Sequence, residues 1–167
     1  MNVGGGVGAE GLMAGAGLLS RPADEFGNDP SIETMWAIKA FEHAEVYFNL
    51  LCSVDTKHLR LTPFDDEIYK MFREEFPDLK VNHLTEDVLK NNNAKEIWRN
   101  FCAKFQWFED FSYGTLLRLD CSDDYSEENS ILVTRIQFLA IELARNREGN
   151  NTCIRSKFKP HQHKPEK

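Results

Sequence analysis

Apolar residues recur along this chain with helical spacing in four places. Ile32, Trp36, Ala40, Ala44, Tyr47 and Leu51 mark one face through about Val54, widened by Phe41 and Phe48, the pattern of a helix with one side against a core. Asp29-Pro30 opens it, a capping carboxylate followed by proline at the first helical position. A second helix is predicted from Thr62-Pro63 to just before Pro77, with Ile68, Met71, Phe72 and Phe76 inward. Asp65 stands three residues after Thr62 as a carboxylate version of the capping box, and Asp65, Asp66 and Glu67 complement the positive end of the helix dipole. Thr85 opens a short turn interrupted by the three asparagines at 91–93. A third helix follows from Asn93, with Glu96 three residues on, to about Gln106, burying Ile97, Trp98, Phe101, Cys102 and Phe105. Gly114 ends the helical pattern, and Leu117 and Leu119 alternate with Arg118 as a strand would. The segment ILVTR, 131–135, reads as a returning strand or as the start of the last helix. Ile136, Leu139, Ala140 and Leu143 keep helical spacing up to a glycine stop at Gly149. The predicted fold is mainly α (α+β), a compact helical domain of about four helices with room for a two-stranded β element around 115–120 and 131–135.

The last helix raises a question of function. Opposite its apolar face stand Arg135, Phe138, Glu142 and Arg145. One reading makes them a second buried face, with Arg145 pairing inward to Glu142, Asp110 or Asp120. The other makes them a partner-binding surface, because arginine beside an aromatic concentrates binding energy in interfaces. Tyr113 and Arg118, beside Gly114, are secondary partner-binding candidates. Asn146 and Arg147 are expected to satisfy the last helical carbonyls. His43, at the edge of its helix face, reads as a hydrogen-bonded rim residue.

Composition sets the limits of the domain. Seven of the ten glycines fall within the first 17 residues, and the segment 1–27 is expected to be disordered. Its G-x-G-x-x-G at Gly6–Gly11 lacks the strand before and the helix after that a dinucleotide site requires. One globular domain, 28–151, is expected, with a basic flexible tail, 152–167, carrying Arg155, Lys157, Lys159, Lys164 and Lys167. The formal net charge of -7 argues against nucleic acid or anionic membrane and suits a basic protein partner. Five carboxylates between Asp120 and Asn129 lack the order and the glycine of a calcium loop, so a solvated acidic loop is expected. Cys52, Cys102, Cys121 and Cys153 have no paired spacing and read as reduced thiols. Ala14-Gly15-Ala16 has the form of a signal-peptidase site but no basic residue precedes Arg21, and the sequon at Asn150 carries no weight without secretion. The expected location is the cytoplasm, with the nucleus also open.

Catalytic chemistry has no evident carrier. The chain lacks a G-x-S-x-G elbow, an H-E-x-x-H pair, a P-loop and an Asp-x-Asp metal pair. His161-x-His163 is a weak two-ligand arrangement, so neither a metal nor a cofactor is expected, and the protein is read as not an enzyme.

The blocks NDPSIETMWAIKAFEHAEVYFNLLCSVD, DDEIYKMFREEFPD, AKEIWRNFCAKF and EDFSYGTLLRLDCSDDYSEENSILVTRIQFLAIELARNREGNN resemble the eukaryotic polysaccharide biosynthesis domain-containing protein 1 family, over roughly residues 27–151. The family's name derives from a label shared with plant cell-wall proteins, and an enzyme or accessory factor in polysaccharide biosynthesis is the alternative it leaves open. The resemblance implies instead a dedicated chaperone for translation elongation factor 1-alpha, engaging its GTP-binding domain during synthesis in concert with the nascent polypeptide-associated complex.

Overall fold

In the computed structural model, residues 30–158 are described, those at 30–33 by backbone alone. The glycine-rich segment, the Asp29 cap, the inward side chain of Ile32 and the last nine residues, with the His161/His163 pair, lie outside the described residues.

Four longer helices form where the periodicity predicts them. They are α1 (Pro30–Ser53), α2 (Asp65–Glu75), α4 (Asn92–Ala103) and α5 (Arg135–Arg147). Two short ones accompany them, α3 (Glu86–Lys90) and α6 (Thr152–Lys157). Strands β1 (Gly114–Arg118) and β2 (Ser130–Thr134) pair antiparallel, Leu116 opposite Leu132, in a two-stranded sheet. The fold is a compact α+β domain. No helix among the described residues is long and apolar enough to cross a membrane.

Local chemistry moves several boundaries. Thr62 does not cap α2. The Asp65 carboxylate instead reaches back to accept from the main-chain N–H of Leu61 and Thr62 and from the Thr62 hydroxyl, each at 2.8 Å. This ties down the approach to the helix. The asparagine run contains a start signal as well as a break: Asn91 Oδ1 accepts from Ala94 N at 2.7 Å, so α4 begins at Asn92. Thr134 settles the ambiguity of ILVTR. It is the last strand residue and also the N-cap of α5, its hydroxyl accepting from Gln137 N and its N–H donating to the Gln137 amide oxygen, a full capping box. At the other end Gly149 takes φ 87°. Asn150 N then reaches Arg145 O at 2.7 Å, and Gly149 N reaches Asn146 O at 3.4 Å, a Schellman ending that needs the left-handed residue.

The largest departure from expectation concerns α5. Of its thirteen residues, Ile136 and the nine from Phe138 to Asn146 are buried. A helix buried on every side is the central element of a domain, not a surface helix with one inward face. Around it lie α1, α2, α4, the sheet and a 3₁₀ turn at Thr56–His58. An aromatic cluster of Phe72, Phe76, Trp98, Phe101 and Phe105 fills the space between α2 and α4, with ring centroids 4.4–6.3 Å apart. The chain after Asn151 departs from the expected flexible tail: α6 is helical and Ile154 is fully buried.

The capping box predicts that Thr134→Ala lowers the unfolding free energy by about 1 kcal/mol with the helical circular-dichroism signal intact. Unchanged stability by chemical denaturation would show that the cap contributes nothing.

Candidate functional site

Three of the six candidate residues meet inside the protein. Glu142, on the central helix, is fully buried, as are Arg145 and Arg118. Oε2 of Glu142 accepts from Arg145 Nη1 at 2.9 Å and stands 3.5 Å from Arg118 Nη2; Oε1 accepts from the Tyr47 hydroxyl and from Asn151 Nδ2, both at 2.8 Å. One carboxylate thus faces two guanidinium groups, and main-chain carbonyls take most of the surplus donors, Arg118 Nε alone among the network's described nitrogens staying buried without a partner. Arg145 donates to Val81 O and Leu119 O, and Arg118 to Cys121 O and Asp123 O. Arg118 Nη2 also reaches Asn151 Oδ1 at 2.8 Å, and Asn151 donates to Asn146 Oδ1 at 2.6 Å. The guanidinium of Arg118 lies 5.6 Å from the Phe48 ring centre.

Electrostatics follow from this closure. Burial by itself would raise the Glu142 carboxyl, but Arg118 and Arg145, with hydrogen bonds from Tyr47 and Asn151, hold it below its usual value. Burial and the neighbouring Glu142 charge push the Tyr47 phenol well above its ordinary value. The cluster joins α1, β1, α5 and the residue before α6; Glu142, Arg145, Arg118 and Asn151 are fully buried, and Tyr47 and Asn146 nearly so. The expectation that Phe138, Glu142, Arg145 and Arg118 form an outer surface is therefore corrected. The reason is physical: α5 runs through the centre, so both of its polar-bearing sides are covered. Arg145 pairs with Glu142, not with Asp110 or Asp120.

The remaining candidates lie beside an open cleft. Its volume is about 580 Å³. Its walls come from the loop Leu61–Phe64 before α2 and the turn Trp107–Asp110 after α4, which touch each other through Phe64 and Trp107. The floor holds His43, Tyr47, Phe138 and Arg135. Phe64, Trp107 and Phe108 contact one another edge-to-face at 5.0–6.1 Å. Phe64 and Trp107 remain 41% and 53% exposed. Large aromatic surface is seldom left open without a use. Phe138, 1% exposed, is floor and not rim; its ring packs against His43 at 5.2 Å and Tyr47 at 5.0 Å.

Arg135, at the first turn of α5, is half-buried. Its Nε donates to Thr115 Oγ1 at 3.0 Å and its guanidinium lies 5.8 Å from the Tyr113 ring centre. Burial lowers its pKa, and Asp110 and Tyr113 partly offset this. Burial, and secondarily the Arg135 charge, lowers His43 from 6.5 to about 4, so the imidazole is neutral at pH 7. The buried Nδ1 has no hydrogen-bond partner among the described residues, which corrects the expected hydrogen-bonded rim histidine. Asp110 holds φ 64°, an uncommon conformation for any residue but glycine, and its carbonyl accepts from Tyr113 N at 3.1 Å. The cleft therefore offers apolar walls, a neutral imidazole and a cation at its floor, and exposed carboxylates of Glu109 and Asp110 on its edge.

Of the candidates, Arg135 and Phe138 thus line the cleft and Tyr113 backs it. Phe64, Trp107 and Phe108 were not singled out in the sequence. The one signal for Trp107 and Phe108 is that FQWFEDF, 105–111, holds four aromatic residues where helical spacing has ended, and Phe64 carries no comparable signal.

A family model described as PBDC1 protein matches residues 32–156, a span that includes the whole polar network and every residue of the cleft. Human Protein PBDC1 is 55% identical over 144 residues, covering 86% of this chain and 62% of that protein. The chain thus spans less than two thirds of the human relative's length. The Protein PBDC1 homolog of Saccharomyces cerevisiae is 46% identical over 137 residues, covering 79% of this chain and 94% of that protein. A solution NMR structure of a Saccharomyces cerevisiae protein, 45% identical, superposes with a TM-score of 0.72 over 79% of this chain and 94% of that one.

Two predictions follow from the charges. Glu142→Gln keeps the shape but strips two buried guanidinium groups of their counter-charge. It is expected to destabilise by about 3–5 kcal/mol, against about 1 kcal/mol for Tyr47→Phe; equal effects would contradict the charge assignment. For His43 the folded pKa of about 4 lies below the ordinary 6.5, so between those values the unfolded chain binds a proton that the folded chain does not. Stability from this group is complete above pH 6.5 and declines toward pH 4. His43→Gln is expected to flatten that part of the stability profile, and a ring titration near pH 6.5 by NMR would contradict it.

Proposed function

We infer from two facts, that the chain belongs to the PBDC1 family and that its surface opens an aromatic cleft beside a sealed polar core, that it is a non-enzymatic protein-binding factor. The proposed client is the GTP-binding domain of translation elongation factor 1-alpha during its synthesis and folding. The proposed setting is the cytoplasm, alongside the nascent polypeptide-associated complex. The observation that carries the binding role is the exposure of Phe64 and Trp107 over the cleft. Rigid aromatic side chains of this kind supply large contact area at low cost in conformational entropy. A folding domain presents apolar surface that it has not yet buried, and the cleft would cover part of it until the domain closes.

The client identity comes from the family resemblance, and the net charge of -7 is of the sign that suits a basic client. Release would follow when nucleotide binding completes the client's own core. The experiment is a titration of the full chain against the GTP-binding domain of elongation factor 1-alpha, nucleotide-free and nucleotide-loaded. Binding is expected to favour the nucleotide-free form, and Trp107→Ala to weaken it by roughly tenfold or more while melting within a few degrees of the parent. Absence of binding by the folded parent chain, or indifference to Trp107→Ala, would contradict this reading.

A further inference from the structure

We propose that the cleft selects an extended segment of its partner in which a large apolar side chain is flanked by lysine or arginine. The proposal rests on reading the cleft as a partner-binding surface, and adds what that surface selects.

A cavity of about 580 Å³ walled by Phe64, Trp107 and Phe108 has room for a large side chain and the peptide units on either side of it. The polar groups inside match a peptide backbone. His43 Nδ1 is a buried ring nitrogen with no partner among the described residues; burial keeps the ring neutral at pH 7, and in the tautomer protonated at Nε2 this nitrogen is an acceptor. A rotation of the ring that opens this nitrogen to the cleft would let it accept an incoming main-chain N–H. Arg135 spends Nε on Thr115, while its terminal nitrogens make no hydrogen bond or ion pair among the described residues. They can donate to an incoming main-chain carbonyl. Every residue of an extended segment other than proline offers this donor and acceptor together.

The edge decides the flanking charge. Glu109 and Asp110 are exposed and form no ion pair among the described residues. Asp110 acts on Arg135 only across space. Two carboxylates against one half-buried cation leave the rim acidic, in a chain whose net charge is -7. Flanking cations would meet opposite charge there, and flanking carboxylates like charge. The same net charge, carried by both copies, disfavours a second copy of this chain as the occupant.

The test measures fluorescence anisotropy of the full chain with three labelled nonapeptides. The first has a central leucine–phenylalanine pair flanked by lysines. The second replaces the lysines with aspartates, and the third replaces the apolar pair with serines. The lysine-flanked apolar peptide is expected to bind about tenfold tighter than either of the others, and to compete with the GTP-binding domain of elongation factor 1-alpha. The Glu109→Gln/Asp110→Asn double variant, in which asparagine tolerates the positive φ, is expected to narrow the lysine-over-aspartate preference. Trp107→Ser should abolish peptide binding, and the His43 Nδ1 resonance should shift when the lysine peptide binds. Equal binding of the lysine and aspartate peptides, or a still His43 resonance on saturation, would overturn the proposal. So would self-association of the chain through Trp107. If the GTP-binding domain binds through Trp107 while no peptide does, the segment chemistry fails and the partner reading stands. If neither binds, both fail.

Discussion

A carboxylate sealed at the centre of a domain has to be neutralised where it stands, and the rest of this structure is arranged around meeting that condition for Glu142. Two arginines are brought to it from different elements, one a turn further along α5 and one from the end of β1. Carbonyls of Val81, Leu119, Cys121 and Asp123 and the Asn151 side chain take most of their remaining donors, and the buried Arg118 Nε has no partner among the described residues. Those carbonyls belong to segments with little regular structure, so the network fixes loops that the apolar core alone would leave less defined. Such a cluster is poor at adding net stability and good at excluding alternative packings, since any rearrangement strands a buried charge.

The cleft inherits its shape from this arrangement. Tyr47 puts its hydroxyl on Glu142 and its ring against Phe138, which forms the floor beneath His43. The walls are held independently: Asp65 fastens Leu61 and Thr62 ahead of α2, and the turn after α4 is tied to α5 where Ile136 N meets Phe111 O at 3.0 Å. A preorganised aromatic cleft loses less entropy on binding than one that must form around its partner. The division of labour is between a closed polar centre that sets geometry and an open apolar site that spends it.

Much of the fold was legible because helical periodicity and capping residues are local signals. The four longer helices and the Gly149 stop follow from them, whereas ILVTR read equally as strand or helix and only the structure shows Thr134 ending one and capping the other. The central position of α5 was not legible. Its pattern of Ile136, Leu139, Ala140 and Leu143 looks the same whether the opposite side meets solvent or another layer, and only the tertiary partners of Glu142 and Arg145 decide. The candidate site suffered for the same reason. Arginine beside an aromatic carries one composition in an interface and in a buried network, so Phe138, Arg145 and Arg118 could be named but not placed. Phe64, Trp107 and Phe108 come together only because two loops, more than forty residues apart in sequence, meet in the fold.

The most direct measurement is a map of amide and side-chain NMR shifts of the isotope-labelled chain on adding the nucleotide-free GTP-binding domain of elongation factor 1-alpha. The Trp107 indole N–H, the Arg135 Nε–H and the amides of Phe64 and Asp110 are expected to move together. The side-chain signals of the buried Arg118 and Arg145 are expected to stay in place. Shifts confined to the exposed Ile38 and Phe41 on α1, with the cleft unmoved, would contradict binding at the cleft.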